Sequence, residues 1–157
     1  MTTASDNGSY AEAVRDAATR FRTALEQGSL RLRSLADFPN GSCGDASELL
    51  GQYLSDSGLG MWSYRSGTQS DPFLTHAWVE CDGLIVDVTA DQFPDMSEPV
   101  LLTTDRTWHD ARFPSGRSNK AADLDWFEHN INRADALADY DTLKRRADAL
   151  RAPGYQG

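Results

Sequence analysis

Apolar residues recur at helical spacing in two segments of the first third of the chain. The segment 10–27 ends before Gly28, and the segment from about 43 to 55 ends before Gly58 and Gly60. Both patterns predict amphipathic helices followed by glycine stops. The apolar positions are Ala13, Ala17, Phe21, Ala24 and Leu25 in the first segment, and Ala46, Leu49, Leu50, Tyr53 and Leu54 in the second.

The middle of the chain changes to the alternating pattern that is typical of strands. Strands are expected at 61–67, 75–80 and 84–90, with a fourth at 99–104. Asp82-Gly83 lies between the second and third strands and is a strong signal for a two-residue hairpin turn. The segment RTWHDARFPSGRSNK, residues 106–120, is polar and is predicted to be a long loop.

The segment 121–151 returns to a helical pattern. Its candidate apolar contacts are Leu124, Phe127, Ile131, Leu137, Tyr140, Leu143 and Leu150. We therefore predict one α+β domain over residues 1–157, with a core at about 38–105, an N-terminal helix at about 10–27 and a C-terminal helical segment at about 121–151. Both terminal helices should pack on the core, because each has an apolar stripe that needs cover.

The register of the predicted hairpin follows from its turn. If Asp82 and Gly83 are the two turn residues, the pairs Cys81–Leu84, Val79–Val86 and Ala77–Val88 form one apolar face. The opposite face then carries His76, Trp78 and Glu80, across from Thr89, Asp87 and Ile85. His76 and Asp87 become diagonal neighbours on this face, within side-chain reach of each other.

The overall charge and the absence of long apolar runs exclude some classes of protein. The 157 residues carry a net charge of −9, so the basic surface that nucleic-acid binding needs is missing. No apolar run approaches the roughly 18 residues that span a bilayer. The first ten residues lack the features of a secretory signal, so we expect a cytoplasmic protein, with leaderless export left open. Two cysteines are too few for a disulfide framework.

Cys43 lies where a reactive thiol would be useful. It opens the second predicted helix between small residues, and a helix start favours the thiolate. Gly44 leaves room for a substrate to approach the sulfur, and nearby backbone N–H groups could hold an oxyanion. Cys81 falls on the apolar face of the hairpin, where an unreactive packing thiol fits.

Cys43, His76 and Asp87 together form a candidate catalytic triad. Asp87 would orient the imidazole of His76, which would act as base toward the Cys43 thiol. Taken singly, each residue has an ordinary structural explanation: a cap, a strand histidine or a strand-end charge. Asp91 is the second candidate for the orienting carboxylate.

Other polar residues near the candidate triad suggest weaker alternatives. His109 follows Trp108 in the predicted polar loop, which favours a surface histidine, with lining of a substrate cleft as the other interpretation. Glu80 lies by the turn and is expected to be solvated. Cys43, His76, Cys81 and His109 lack the paired spacing of a zinc site.

The motifs of this region resemble a known family. GSCGDASELLGQYLSDSGLG, YRSG, THAWVE and LIVDVTADQF, all within residues 41–93, resemble the core of the transglutaminase-like superfamily of the papain-like fold. By motif, Cys43 corresponds to the nucleophile, His76 to the general base and acid, and Asp87 to the orienting carboxylate. The resemblance implies acyl-thioenzyme chemistry without metal or cofactor.

The function expected from these features is that of a cysteine-dependent hydrolase, a peptidase, amidase or deamidase, acting on a peptide, protein or small amide. Trp78 and Tyr64 would line the substrate cleft. The alternatives are an acyltransferase or transglutaminase that passes the acyl group to an amine, and a non-catalytic binding module that keeps the fold. The short chain, without the accessory domains of animal transglutaminases, favours the hydrolase.

Overall fold

The computed structural model describes residues 4–151, without the side chains of residues 4–7 and 116–119. The helices are α1 (Ala4–Glu26), α2 (Cys43–Asp56), α3 (Thr107–Arg112) and α4 (Arg133–Ala149). The strands are β1 (Ser63–Ser70), β2 (Phe73–Cys81), β3 (Leu84–Asp87), β4 (Leu101–Thr103) and β5 (Ser115–Ala121). Short 3-10 turns lie at Arg33–Leu35, Ala90–Gln92 and Leu124–Phe127.

The strands form one antiparallel sheet in the order β4-β3-β2-β1-β5. The predicted α+β class is therefore confirmed, and so are the two early helices and the four predicted strands, with shifted ends. The prediction of a long loop at 106–120 is wrong. Those residues contain α3 and β5, and β5 extends the sheet by pairing with β1.

The main core lies between the sheet and the helices α1, α2 and α4. Val79 and Val86 point into it from the central strands, and Phe21 stacks on Tyr53 with ring centroids 5.1 Å apart. The expectation that the terminal helices pack on the core is confirmed, since Val14 of α1 and Leu143 of α4 are fully buried. A second, smaller apolar cluster covers the other face of the hairpin; it consists of Trp78, Ile85, Phe93 and Phe113.

The last segment differs from its sequence-based prediction. Residues 121–151 form the end of β5, a 3-10 turn and then α4, rather than continuous helix. Phe127 and Leu143 are buried as predicted, but Ile131 is 99% exposed. Leu137 and Leu150 are also exposed, so these three candidate apolar contacts are not part of the buried core. Ile131 lies between the 3-10 turn and α4, where the helical spacing does not apply.

Within residues 4–151, no helix combines the length and the apolar character that crossing a bilayer needs.

Candidate active site

The hairpin of β2 and β3 brings His76 and Asp87 together. Its register pairs Val79 with Val86 and Cys81 with Leu84, as the two-residue turn predicts. His76 Nε2 lies 2.6 Å from Asp87 Oδ2, and both side chains are fully buried. The predicted His–Asp pair is therefore present.

Asp87 has a second imidazole partner that sequence reasoning missed. His109 Nε2 lies 2.8 Å from the same oxygen, Asp87 Oδ2, while the backbone N–H of Thr89 donates to Oδ1 at 3.1 Å. His109 has no exposed surface, so its assignment as a surface histidine is wrong. The cause is α3, which turns this part of the expected loop inward. His109 and Phe113, both fully buried, are four residues apart, and this spacing was the available signal.

The electrostatics of the pair favour the ionised forms. Burial would raise the pKa of Asp87, but the charge of His76 and hydrogen bonds from both histidines hold it well below its usual range. Burial also lowers the pKa of His76, yet the charge and hydrogen bond of Asp87 outweigh it. With smaller contributions from Cys43, they raise the pKa of His76 to about 9.

The hydrogen bonds also fix the orientation of the His76 ring. An ionised carboxylate only accepts hydrogen bonds, so the Nε2 atom of His76 must carry the hydrogen that it shares with Asp87. In the neutral ring, Nδ1 is then the basic atom. The amide nitrogen of Gln92 lies 3.5 Å from Nδ1 and donates to the carbonyl oxygen of Thr89 at 3.0 Å.

Cys43 is the first residue of α2 and is partly buried. Its thiol is near enough to His76 to raise the pKa of the imidazole. Within the described residues, His76 forms a hydrogen bond of 2.6 Å with Asp87. No hydrogen bond as short joins His76 to Cys43. The described residues therefore contain the His76–Asp87 pair but no aligned Cys-His-Asp triad.

The start of α2 has no side-chain cap at its N-cap residue. Ser42, the N-cap residue, makes no side-chain cap; its hydroxyl donates instead to the carbonyl oxygens of Ser34 and Asn40, at 2.7 and 3.2 Å. Ser34 in turn donates to Asp45 at 2.5 Å, which ties the loop to the first turn. The first N–H groups of an α-helix lack partners within the helix, so those at Cys43 and Gly44 can bind an oxyanion.

Tyr64 and Gly44 lie together beside this helix start. A Cβ built on Gly44 would be 3.4 Å from the Tyr64 hydroxyl oxygen. Burial, followed by the charges of Cys43, Glu48 and Asp45, raises the pKa of Tyr64 to about 12. The phenol therefore remains a neutral hydrogen-bond donor at physiological pH, which suits the substrate-contacting position predicted for it.

Trp78 lies beneath the site rather than on an open surface. It is only 1% exposed, and its ring centroid is 5.7 Å from that of His76 and 4.5 Å from that of His109. Its indole N–H donates to Glu80 at 2.9 Å. Trp78 therefore packs against both imidazole rings and holds them in place.

Glu80 and Asp91 are both engaged in ion pairs. Arg106 lies 2.8 Å from Glu80, whose side chain is only 11% exposed, so the expectation that Glu80 is solvated is wrong. Arg65 of β1 and Arg106, the residue directly before α3, cover it. Asp91 binds Arg22 through both carboxylate oxygens, at 2.7 and 2.9 Å. The second candidate for the orienting carboxylate is therefore engaged with an arginine and not with His76.

Cys81 lies on the core side of the hairpin and packs against the main core. It is partly buried, like Cys43, and its sulfur is 3.9 Å from the Tyr10 hydroxyl oxygen. The two thiols are therefore not distinguished by their exposure. They differ in the groups that surround each sulfur atom.

The potential ligands for a metal ion among the described residues are His76, Asp87 and His109. Ligand atoms around a tetrahedral zinc ion are about 3.3 Å apart, given bond lengths of about 2.0–2.1 Å. The nitrogen–oxygen separations of 2.6 and 2.8 Å are shorter and are those of hydrogen bonds. The geometry therefore fits a hydrogen-bonded group better than a set of metal ligands.

Comparisons of the chain with protein-family models, with curated proteins and with solved structures give no match.

Proposed function

We propose that this protein is a cysteine-dependent acyl-transfer enzyme that hydrolyses amide or peptide bonds. The observation that supports it best is the buried His76–Asp87 hydrogen bond of 2.6 Å, next to a thiol at a helix start. A buried, oriented imidazole with a basic Nδ1 is the group that a thiol nucleophile needs. The similarity of the motifs at residues 41–93 to transglutaminase-like enzymes points in the same direction.

Acylation would begin from a Cys43 thiolate beside a His76 imidazolium, with the thiol proton already on Nδ1, because a His76 pKa of about 9 keeps the ring protonated at neutral pH. The sulfur attacks the carbonyl carbon, and the carbonyl electron pair moves to oxygen, where N–H groups of the first turn of α2 stabilise it. When the carbonyl re-forms, the carbon–nitrogen bond breaks. The proton on Nδ1 passes to the leaving amine, and a thioester remains on Cys43.

Deacylation would repeat these steps with water. His76 removes a proton from water as the oxygen attacks the thioester carbon. The carbon–sulfur bond then breaks, which restores the Cys43 thiolate beside the His76 imidazolium. Asp87 remains ionised throughout and stabilises the His76 imidazolium, which gives its proton to the leaving amine and regains one from water in each cycle.

The first test measures the reactivity of the two cysteines. At pH 6.5 an ordinary thiol is about 1% ionised, so limiting iodoacetamide should label Cys43 almost alone if its thiolate is stabilised by imidazolium. Peptide mapping by mass spectrometry identifies the labelled site. His76→Ala should slow the labelling at least tenfold at pH 6.5 and much less at pH 9, where an exposed thiol ionises unaided.

A second measurement tests turnover with p-nitrophenyl acetate as the acyl donor. An acetyl thioester should form on Cys43 and then disappear as water releases acetate. Cys43→Ala should abolish this cycle, and Cys81→Ala, the matched control, should retain it. Rapid transfer of the acetyl group to an added primary amine would identify an acyltransferase instead. Equal labelling of both cysteines, with no thioester, would overturn the enzyme proposal in favour of a binding module.

A further inference from the structure

The hydrogen bond between His109 and Asp87 takes no part in the proposed acyl transfer. His109 binds the same Asp87 oxygen that binds His76, at 2.8 Å compared with 2.6 Å. An apolar side chain would fill a wholly buried position at lower cost than an imidazole, because a buried polar group costs free energy unless it is paired. Packing alone therefore does not explain a histidine at position 109, whereas its hydrogen bond to Asp87 does.

The ring of His109 is held in place from several sides. Its centroid lies 4.5 Å from Trp78 and 4.9 Å from Trp108. Trp108 is itself fixed by a hydrogen bond of 2.9 Å to Asp95, and Arg112 pairs with Asp95 at 3.2 Å. These contacts anchor α3 and aim Nε2 of His109 at Asp87.

The other ring nitrogen of His109 shows which atom carries the hydrogen. Nδ1 is buried and has no hydrogen-bond partner within the described part of the chain. A hydrogen on Nε2 is shared with Asp87, whereas one on Nδ1 would be left unpaired. Asp87 Oδ2 therefore accepts two N–H donors at once.

We propose that His109 is a positioning residue of this site, which shares Asp87 Oδ2 with His76 and thereby limits how tightly Asp87 holds the His76 proton. The proposal rests on the role that the proposed function gives to His76. Each donor to a carboxylate oxygen makes that oxygen a weaker acceptor for the next. Without His109, Asp87 would attract the His76 proton more strongly, so the imidazolium would persist to higher pH.

Other charged groups around His76 and Asp87 also affect the titration of His76. Cys43 on α2 acts directly on His76. Glu80 on β2 is paired with Arg106, directly before α3, at 2.8 Å and with Arg65 of β1 at 3.7 Å. Arg112 of α3 lies 5.1 Å from the Phe93 ring centroid. Substitution at His109 leaves all of these charges in place.

The experiment compares two substitutions that both remove the imidazole ring. His109→Leu is close to histidine in volume and cannot donate, whereas His109→Gln keeps an amide N–H at similar reach. The titration midpoint of His76 is followed by NMR on ¹⁵N-histidine-labelled protein. We expect His109→Leu to raise the midpoint by about 0.5 to 1 pH unit, and His109→Gln to leave it nearly unchanged. A midpoint that stays or falls in His109→Leu overturns the proposal.

A measurement on the unsubstituted protein covers the case in which His109→Leu does not fold. Two-bond ¹H–¹⁵N spectra identify which nitrogen of each neutral histidine carries hydrogen. The proposal requires Nε2–H on His109, and Nδ1–H would overturn it. Neither NMR readout needs a reactive Cys43, so failure of the acyl probe would remove the enzyme proposal and leave the His109 result standing.

Discussion

The free-energy balance at Asp87 depends on every donor that surrounds it. A carboxylate without exposed surface is costly to ionise, and here two imidazoles and the Thr89 N–H offset that cost. The charge of Asp87 also determines the protonation of His76, because burial alone would lower the His76 pKa below its usual value. The pH dependence of stability should therefore change sign when that charge is removed.

In the unsubstituted protein, stability should fall as pH rises from about 6.5 to 9. The folded state keeps the His76 proton to about pH 9, whereas an unfolded histidine loses it near 6.5. Across this window the folded state binds more protons, and the free energy of unfolding decreases by up to about 1.4 kcal/mol per pH unit. Below pH 6.5 the stabilisation from this proton is complete.

Asp87→Asn should reverse this slope. Burial would then dominate and hold the pKa of His76 below its unfolded value, so the unfolded state would bind more protons. Stability would rise with pH up to about 6.5 and then level off. Urea denaturation at several pH values measures both slopes, with Asp141→Asn as the control, because Asp141 is exposed and pairs with Arg145. An unchanged slope in Asp87→Asn would contradict the electrostatic account of the pair.

The sequence could predict one part of the site and not the other. His76 and Asp87 were predictable because residue parity in a short antiparallel hairpin determines which side chains share a face. His109 lies 22 residues after Asp87. The contact of His109 with Asp87 depends on how α3 packs against β2, and the local sequence pattern does not determine that packing. The alignment of Cys43 with His76 stays a prediction.

At the scale of elements, the hairpin of β2 and β3 positions the site through its turn. Asp82 and Gly83 both have positive φ, at 49° and 83°, as a two-residue turn of the type I′ family requires. A three-residue turn would have placed Asp87 on the opposite face from His76. The Asp-Gly pair, read from the sequence alone, was therefore enough to predict the register.

β5 was not predicted from the sequence because it is an edge strand of the sheet. It pairs only with β1, at the edge of the sheet, where backbone hydrogen bonds suffice and an alternating apolar pattern is not needed. α3 has six residues, too few for a clear helical period. The signal at its start was local: Asp105 accepts hydrogen bonds from the backbone N–H and hydroxyl of Thr107, at 2.9 and 2.6 Å.

The helix that carries Cys43 packs closely against the chain that follows β5. A Cβ on Gly51 would lie 2.3 Å from the carbonyl oxygen of Ala122. Alanine is the better helix former by about 1 kcal/mol, but this clash with backbone should outweigh the gain. We expect Gly51→Ala to lower the free energy of unfolding by about 1 to 3 kcal/mol in urea denaturation.

Gly8→Ala is the matched control, because Gly8 lies in α1 and a Cβ there meets nothing within 4 Å. It should be neutral or stabilising by up to about 1 kcal/mol. Displacement of α2 should also move Cys43 relative to His76, so iodoacetamide labelling at pH 6.5 should slow in Gly51→Ala only. Equal stability of the two variants would refute the close packing of α2.

At the scale of the whole molecule, the two terminal helices are joined to the rest of the chain by buried polar contacts. Asp139 of α4 accepts backbone N–H bonds from Arg31 at 2.8 Å and Leu32 at 2.7 Å. Arg22 of α1 donates to the carbonyl oxygen of Val88 at 2.8 Å and also binds Asp91. Since Val88 directly follows Asp87, α1 supports the end of the strand that carries the site.

The contacts of Arg22 give a prediction about this support. Arg22 is 6% exposed, and its guanidinium also donates to the carbonyl oxygen of Pro99 at 3.2 Å. Arg22→Met would leave the Asp91 carboxylate and two carbonyl oxygens without this partner, at a cost of about 3 kcal/mol or more. Iodoacetamide labelling of Cys43 should slow at pH 6.5 as well, because the segment after Asp87 loses its anchor.

Two further variants separate the loss of the ion pair from the loss of packing. Arg145→Met removes an exposed arginine that pairs with Asp141 at 3.1 Å, and it should change stability by less than about 0.5 kcal/mol. The double substitution Arg22→Met with Asp91→Leu removes both charges and should recover part of the lost stability, since no unpaired carboxylate remains. If Arg22→Met is as stable as Arg145→Met in urea denaturation, α1 does not support the site through this arginine.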